Sequence, residues 1–306
     1  MQSQSSWRVG LLMAALVIMW GISWPIYKNA IPYVPPLLFA GMRTLFGGAL
    51  LTALFWRRRS LIRWRENKFI YINSALLNIA LFYGLQTIGL TLMPSGLFSV
   101  ITYVQPVLVG ILAWIWLKES MSAVKLIGFA LGFCGVLVVS AGGLHGHASA
   151  AGIALALITA LSWAFGAVYI KRVGHRVDPV WLAALQSLLG GIVLTSAGSV
   201  AESWPAIVWN AASITGLAFG TTIGIAVSWI VYFVLVEWRS ASEVASYTFL
   251  VPLIAVCSGT VLLNEPFTVN LLAGIVCIGG SVFMVNRRSK RATTAVKSGG
   301  ASRLAR

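Results

Sequence analysis

The sequence predicts an all-α membrane protein, with ten transmembrane helices arranged as two inverted five-helix repeats and with both termini in the cytoplasm. Three observations predict this fold. First, 58% of the 306 residues are hydrophobic and only 9% are charged, whereas a soluble domain carries about a quarter charged residues. Second, long apolar runs make up most of the chain. Third, the segment around Arg43, "PLLFAGMRTLFGGALLT", has a counterpart 143 positions later around Gln186, "PVWLAALQSLLGGIVLT".

Ten apolar runs each approach or exceed the length of about 20 residues that crosses a bilayer as a helix. Inside lipid the backbone must satisfy its own hydrogen bonds, so these runs are expected to be helical. The first run follows Arg8 and continues through "WGISWP" without a clear cleavage site, which indicates a spanning helix rather than a signal peptide. The predicted spans are 9–30, 36–56, 69–90, 94–117, 122–142, 151–171, 179–200, 212–235, 241–263 and 267–286.

Positive charge alternates between the two sides of the predicted membrane. The densest basic loop is "RRRSLIRWRENK", residues 57–68, and the positive-inside rule assigns this side to the cytoplasm. The opposite loops carry almost no Lys or Arg, with Lys28 as the exception. An even number of spans then leaves both termini in the cytoplasm. The other basic groups predicted on that side are Lys118, Lys125, residues 171–176, Arg239 and the tail from Arg287.

The formal net charge of +15 follows from this topology and does not indicate nucleic acid as a partner. Residues 287–306 are basic and lack apolar periodicity, which predicts a disordered cytoplasmic tail that can contact anionic lipid. The three cysteines all lie in apolar runs, and their spacing predicts neither a disulfide framework nor a metal site. They are Cys134, Cys257 and Cys277.

The recurrence extends along the whole chain as pairs of matched residues. An offset of 143 pairs Trp20 with Trp163, Lys28 with Lys171, and Pro36 with Pro179. An offset of 146 pairs Tyr83 with Trp229, Tyr103 with Phe249, Pro106 with Pro252, and Glu119 with Glu265. A three-residue insertion near the third helix of the second half explains the change of offset.

The two repeats are predicted over residues 1–142 and 143–286, followed by the tail 287–306. Because five helices are an odd number, the second repeat enters the membrane in the opposite direction. Inverted repeats are the common plan of secondary transporters, whose substrate site lies near the bilayer midplane between the repeats. Two near-equivalent halves can exchange conformations, so that one site opens alternately to either side.

Several motifs carry a resemblance to a known family. They are "WGISWP" in the first span, "TYVQPVLVGILAWIWLKES" and "TFLVPLIAVCSGTVLLNEPF" at the fourth and ninth spans, and a Gly-rich fifth span. Over about residues 8–287 the chain resembles the EamA-type family of the drug/metabolite transporter superfamily. The resemblance implies that helices 1–4 and 6–9 surround a central cavity, which helices 5 and 10 support. It also implies export of amino acids, related metabolites or drugs.

Arg43 is the only Lys, Arg, Asp or Glu well inside a predicted span. It stands seven residues after Pro36, which is about 10 Å from the outer end of a helix. A charge at the centre of a bilayer costs about 2.5–3.5 kcal/mol on insertion scales. We therefore expect Arg43 to face the cavity and bind a substrate carboxylate or phosphate. The alternative is that Arg43 extends to the outer interface or binds carbonyl groups at a helix end.

Aromatic and amide side chains are the next candidates for the substrate site. The aromatic candidates are Trp20, Tyr83, Tyr103, Trp163, Trp229 and Tyr247. They can stack on an apolar or cationic group, although Trp and Tyr also form belts at the membrane interface. The amide candidates are Asn78, Gln105 and Gln186. Hydrogen bonding between helices is the alternative role for these amides.

Gly128 and Gly132 form a GxxxG motif in the fifth span. Such glycines allow two helices to approach closely, either within the fold or between two copies of the chain in a homodimer.

The sequence lacks several motifs that other functions require. No GxxxxGK[ST] loop is present, so ATP is not expected as the direct energy source. We also expect no catalytic residues, no metal and no cofactor, since there is no HExxH motif and no pair of acids inside a span. Because Asp, Glu and His are confined to ends and loops, proton coupling through a membrane carboxylate is disfavoured, and a facilitator or exchanger is favoured.

These features together predict a secondary transporter in the cell membrane, inner or plasma, that exports small metabolites such as amino acids. Its partners would be a small-molecule substrate and the lipid bilayer. A broad exporter of aromatic or cationic drugs is the first alternative, although the charge of Arg43 disfavours cations. A receptor or scaffold that transports nothing is the second.

Overall fold

The structure, a computed structural model, describes residues 6–92, 98, 101–140, 149–263 and 269–286. The described residues form helices joined by short connections, and none of them forms a strand, which confirms the predicted all-α fold. The predicted tail 287–306 lies outside the described residues, as do the predicted repeat boundary and parts of the fourth, fifth and tenth predicted spans.

The first half of the chain forms six helices among the described residues; two of them start away from the predicted positions, at Trp64 instead of 69 and at Gln105 instead of 94. The six helices are α1 Ser6–Ala30, α2 Pro36–Phe55, α3 Trp64–Ser74, α4 Phe82–Leu92, α5 Gln105–Leu117 and α6 Ala123–Ser140. A π-helical segment, Ala75–Leu81, joins α3 to α4 without a break. Pro36 is the first residue of α2, where the missing N–H of proline removes no hydrogen bond from the helix.

The second half contains seven helices among the described residues, and the predicted span 241–263 is divided between two of them. Its helices are α7 Ala150–Val173, α8 Pro179–Ala201, α9 Ala211–Phe219, α10 Ser228–Trp238, α11 Ala241–Tyr247, α12 Leu250–Leu263 and α13 Val269–Asn286. A second π-helical segment, Gly220–Val227, joins α9 to α10. Its last residue, Val227, lies 146 positions after Leu81, the last residue of the first segment. This is the offset that pairs Tyr83 with Trp229.

Six helical segments in the described part of the chain are long and apolar enough to cross a membrane. They are Trp7–Tyr27, Pro36–Ile62, Trp64–Gly89, Ala150–Arg176, Pro179–Ala201 and Ala211–Trp238. Four shorter apolar helices accompany them among the described residues: Gln105–Leu117, Ala123–Gly135, Ala241–Ala255 and Val276–Val285.

Helices α2 and α8 pack closely against each other. Gly41 of α2 lies against Thr195, and Gly48 lies against Leu188. The residue number rises along α2 while it falls along α8, so the two helices are antiparallel. The small side chains let the backbones approach closely, which is the usual way that helices pack in membranes.

Each of these two helices also contacts the π-helical segment of the opposite half. Gly47 of α2 packs against Ile225, and Gly190 of α8 packs against Ile79. Gly47 and Gly190 are 143 positions apart, and Ile79 and Ile225 are 146 positions apart. The same contact is therefore made twice, with the roles of the two halves exchanged.

Helices α6 and α13 form a second antiparallel pair. Gly132 of α6 packs against Ser281 of α13, and Gly128 packs against Val285. The GxxxG motif is therefore used for close helix packing within the fold.

Carboxylates from other elements hold two helix N-termini. At one end of the bundle Glu119 accepts a hydrogen bond of 2.8 Å from the backbone N–H of Ala241, the first residue of α11. At the other, Glu202 accepts bonds of 2.9 and 2.8 Å from the backbone N–H groups of Leu37 and Leu38 in α2. Both pairings place a negative charge at the positive end of a helix dipole.

Candidate functional site

Arg43 lies on α2 inside the helix bundle, and only 4% of it is exposed. Its guanidinium carbon is 4.4 Å from the ring centroid of Tyr27 and 4.4 Å from that of Tyr83. A third ring, Phe39, has its centroid at 5.7 Å. These separations allow cation–π attraction, which strengthens when water is excluded. Aromatic rings from α1, α2 and α4 therefore surround the charge.

Arg43 forms no ion pair with an acidic side chain among the described residues. Its Nε is buried and has no hydrogen-bond partner in that part of the chain. The acids that the structure describes all lie at or beside helix ends, as Glu119, Asp178 and Glu202 illustrate. A buried guanidinium without a hydrogen-bonded anion is costly. The site therefore has an unmet capacity to bind an anion.

Glycines of the second π-helical segment make room for this arrangement. A Cβ atom at Gly220 would lie 3.2 Å from Cδ of Arg43 and 3.3 Å from Cε1 of Tyr27. At Gly224 a Cβ atom would collide with the hydroxyl group of Tyr27. A side chain at position 224 would therefore displace Tyr27, whereas one at position 220 would require Arg43 and Tyr27 to shift slightly.

A cluster of aromatic rings occupies the space beside the Arg43 site. The ring centroids of Trp20 and Trp163 are 5.2 Å apart, and those of Trp163 and Trp229 are 5.4 Å apart. Tyr232 lies 5.6 Å from Trp20 and 5.5 Å from Trp229. Phe82 completes the group at 4.9 Å from Trp163. These separations are typical of favourable aromatic pairs.

Tyr83 connects the aromatic cluster to the charge. Its ring centroid is 5.0 Å from that of Phe82, and the same ring lies against the guanidinium of Arg43. A ligand with an anionic group at Arg43 would therefore have its apolar part next to the aromatic rings.

Gln186, the residue matched with Arg43, is fully buried on α8 and belongs to a polar network. Its Oε1 accepts hydrogen bonds from the hydroxyl group of Ser74 and, at 3.4 Å, from Nδ2 of Asn78. Asn78 also donates a bond of 3.1 Å to Ser74. The network joins α8 to α3 and the π-helical segment that follows it.

The sequence-predicted site residues separate into three groups. Arg43, Trp20, Tyr83, Trp163 and Trp229 form one continuous set of contacts. The amides Asn78 and Gln186 form the polar network.

The third group lies elsewhere in the bundle. Tyr103 belongs to a separate buried cluster with Phe249, and Tyr247 packs against both this cluster and the main core. Gln105 is buried, and its Oε1 has no hydrogen-bond partner among the described residues. None of these three residues has a ring, charge or hydrogen-bond contact with Arg43 in the described structure.

Sequence analysis missed Tyr27, Tyr232 and Ser74. Tyr27 lies seven residues after Trp20, which places both on one face of a helix. Ser74 and Asn78 are four residues apart and share a face in the same way. Tyr232 likewise lies three residues after Trp229, so helical periodicity would have indicated all three residues. The sequence reasoning also missed Gly220 and Gly224, whose role depends on contacts between the two halves.

The described residues contain no group of three or more His, Cys, Asp or Glu side chains that could hold a metal ion.

The apolar helices and the buried, charged site define the class of protein: it is a multi-pass, all-helical membrane protein. The chain belongs to the EamA-like transporter family, whose family model matches residues 7–141 and again residues 150–287.

Relatives agree with this assignment. The chain is 52% identical over 283 residues to the uncharacterized transporter YvbV of Bacillus subtilis (strain 168), covering 92% of this chain and 93% of YvbV. It is 29% identical over 292 residues to a protein of Salmonella typhimurium (strain LT2) named "Probable amino-acid metabolite efflux pump", covering 90% and 93% of the two chains. A solved crystal structure of a chain 16% identical to this one aligns with a TM-score of 0.77 over 91% of this chain and 97% of the other.

Proposed function

We propose that the protein is a secondary transporter that exports small metabolites bearing a carboxylate, such as amino acids, by alternating access. The observation that carries this proposal is the buried guanidinium of Arg43, which lies among aromatic rings without an acidic partner in the described structure. A substrate carboxylate would supply that partner. The name of the Salmonella relative, an amino-acid metabolite efflux pump, supports the same substrate class.

The proposed mechanism uses two inverted repeats, residues 1–142 and 143–286. The antiparallel packing of α2 on α8 supports it, as do the reciprocal contacts of Gly47 with Ile225 and of Gly190 with Ile79. Paired contacts of this kind allow the two halves to exchange conformations with little change in energy. The aromatic rings contact one another, so a substrate must separate them to enter.

The ends of the bundle would act as the two gates. Where Glu119 binds the N-terminus of α11, Lys171 donates a hydrogen bond of 2.6 Å to the carbonyl oxygen of Val236 near the end of α10. At the opposite end Glu202 binds the N-terminus of α2. In alternating access one set of these bonds breaks while the other persists.

We further propose that the protein lies in the plasma or inner membrane with both termini in the cytoplasm. The concentration of Lys and Arg in the loops at residues 57–68 and 171–176 supports this orientation. A homodimer would have to use surfaces other than Gly128 and Gly132, which pack against α13.

Export of aromatic drugs is the second candidate function. The cluster around Trp20, Trp163 and Trp229 favours it, since these rings can stack on an aromatic compound. The positive charge of Arg43 disfavours cationic compounds at the same site.

Counterflow in proteoliposomes tests the transport proposal. Liposomes containing the purified full chain are loaded with an unlabelled compound, and uptake of the same compound in radiolabelled form is followed for amino acids, nucleosides and aromatic cations. The proposal predicts transient accumulation of one or more amino acids above protein-free liposomes. Accumulation of aromatic cations alone would favour the drug exporter, and no accumulation of any compound would favour a receptor or scaffold.

A further inference from the structure

The two halves of the molecule differ at one pair of matched positions, Arg43 on α2 and Gln186 on α8. In the second half, the polar side chain of α8, Gln186, has partners supplied by the first π-helical segment and the residue before it. Ser74 and Asn78 both donate hydrogen bonds to its Oε1. All three residues are at most 2% exposed. The side-chain oxygen of Gln186 therefore has hydrogen-bond donors from the protein itself.

In the first half, the corresponding partners are missing. Arg43 stands at the position matched with Gln186 and lies against Gly220 of the second π-helical segment, while Gly224 of the same segment lies against Tyr27. These glycines are 146 positions after Ser74 and Asn78. Ser74 and Asn78, which donate hydrogen bonds to Gln186, thus correspond to Gly220 and Gly224, which have no side chain. The neutral amide of Gln186 corresponds to the permanent cation of Arg43.

We propose that Arg43, Tyr27, Gly220 and Gly224 form a carboxylate-binding site around α2 that has no counterpart around α8. This inference rests on the proposed transport function and assigns the substrate's anionic group to one side of the central region. The bound carboxylate would take, opposite Arg43, the role that Ser74 and Asn78 have opposite Gln186.

The chemistry of the guanidinium favours a carboxylate with a single negative charge. Arg presents a planar fork of N–H donors that matches the two oxygens of a carboxylate, and Nε of Arg43 has no partner among the described residues. One guanidinium balances one negative charge. The neighbouring described groups are aromatic rings and glycines, which supply no second cation.

Tyr27 is the positioning residue of this site. Its ring lies 4.4 Å from the guanidinium carbon of Arg43, and its hydroxyl group occupies the space beside Gly224. The residue matched with Tyr27 in the second half is Ile170, which has no π face for a cation. Tyr27 therefore holds the cation in place, and a side chain at position 224 would displace it.

The second half cannot provide an equivalent site. Nε2 of Gln186 has no hydrogen-bond partner among the described residues, but it is a neutral donor. A carboxylate at Arg43 gains the attraction between opposite charges and several N–H donors, whereas Gln186 offers one neutral donor. The anion would therefore bind at Arg43 rather than at Gln186.

Giving position 43 the surroundings of Gln186 tests the inference. The variant carries Tyr27→Ile, Arg43→Gln, Gly220→Ser and Gly224→Asn, which reproduces the residues at the matched positions. Because these residues satisfy one another in the second half, the variant is expected to fold. The single variant Gly220→Ser is the milder alternative, since its Cβ has contacts of 3.2–3.3 Å. The control is Gly10→Asn, because Gly10 has no atoms within 4 Å of its Cβ position.

The measurement is thermal stabilisation of the purified full chain in detergent by isovalerate and by L-leucine, each compared with the corresponding amide, isovaleramide or L-leucinamide. We expect the carboxylates, and not the amides, to stabilise the wild type and Gly10→Asn. The apparent affinity for the carboxylates should be roughly tenfold to hundredfold weaker in the four-residue variant, as expected for loss of a hydrogen bond to a charged group. Gly220→Ser should weaken it in the same direction.

Three results would overturn the inference: no stabilisation of the wild type by either carboxylate, equal stabilisation by the amides, or unchanged affinity in the folded four-residue variant. Each of them leaves the transport proposal standing if the wild type accumulates an amino acid in counterflow. A wild type that transports nothing would instead contradict the proposed function, whatever the carboxylates do to its stability.

Discussion

At the scale of single residues, the environment of Arg43 explains how a charge persists inside an apolar bundle without an acid beside it. Insertion of a charge costs about 2.5–3.5 kcal/mol at the membrane centre. Each desolvated cation–π contact returns about 2 kcal/mol, and Arg43 has two rings at 4.4 Å. Tyr27 and Tyr83 therefore offset the cost of the charge while leaving its N–H groups available for a substrate.

A double-mutant cycle tests this balance. Tyr27→Leu should lower stability by about 1–2 kcal/mol in the wild type, and by clearly less in the Arg43→Gln background, where there is no cation to hold. The measurement is the free energy of unfolding in detergent for the four proteins. Tyr27→Phe is the control, since it keeps the ring. Equal losses in both backgrounds would show that Tyr27 and Arg43 do not interact.

Gln186 is expected to behave differently from Arg43, because its amide oxygen already has two donors. Gln186→Ala should destabilise the protein by about 0.6–1.7 kcal/mol, the range for hydrogen bonds between membrane helices. Its response to carboxylates should remain that of the wild type. The check is a denaturation curve together with the thermal shift by isovalerate. Loss of that shift in folded protein would place the anion at Gln186 instead.

At the scale of elements, the glycines of α2 and α8 control how closely the two halves approach. A Cβ atom at Gly48 would lie 2.5 Å from the backbone nitrogen of Leu188 and 2.8 Å from the carbonyl oxygen of Ala184. These are backbone atoms, which cannot rotate away as a side chain can. The two helices would have to separate to accommodate any larger residue.

Gly48→Ala should therefore cost about 1–3 kcal/mol of stability, the usual cost of overpacking, even though alanine has the better helix propensity. Gly10→Ala is the matched control and should be neutral or slightly stabilising, because nothing lies near its Cβ position. Unfolding of both variants in detergent provides the comparison. A Gly48→Ala protein as stable as Gly10→Ala would mean that α2 and α8 are not packed this closely.

The helices themselves were the most predictable elements. The predicted spans 36–56 and 179–200 nearly match Pro36–Phe55 and Pro179–Ala201, because a proline begins each run and the apolar run sets its length. Helix α3 begins at Trp64, five residues before the predicted span at 69, since its first turns are polar and carry no hydrophobic signal. The π-helical segments could not be predicted, because their sequences are as apolar as those of ordinary helices.

The site was partly predictable for similar reasons. Trp20, Trp163, Tyr83 and Trp229 stand out because the two repeats carry them at matched positions in the middle of helices. Gly220 and Gly224 do not stand out in the sequence, because a glycine in an apolar run can have many roles. Their importance follows only from the contact between α2 and the opposite half.

At the scale of the whole molecule, the reciprocal contacts of α2 and α8 relate the two halves as inverted copies would. In the proposed topology the basic segments 57–68 and 171–176 share one face of the membrane, and the loop at residues 202–210 lies on the other. Trp181 supports this grouping, since its Nε1 donates a hydrogen bond of 3.0 Å to the carbonyl oxygen of Arg58.

Cysteine labelling tests this topology. Cys134, Cys257 and Cys277 are first replaced by alanine, and then Ser60→Cys or Ser203→Cys is introduced, both at exposed positions. A membrane-impermeant maleimide added to intact cells should label Ser203→Cys and leave Ser60→Cys unlabelled until the cells are opened. Labelling of both positions from the same side would exclude the inverted arrangement.

The most direct test of the central claim, that the charge of Arg43 serves the substrate, is counterflow of a labelled amino acid by the wild type and by Arg43→Gln in matched proteoliposomes. Glutamine is the residue that the second half carries at this position. We expect Arg43→Gln to be inserted and folded at wild-type levels and to lose accumulation of the amino acid. Undiminished accumulation by the variant would show that the charge does not serve the substrate and would leave Arg43 with a structural role.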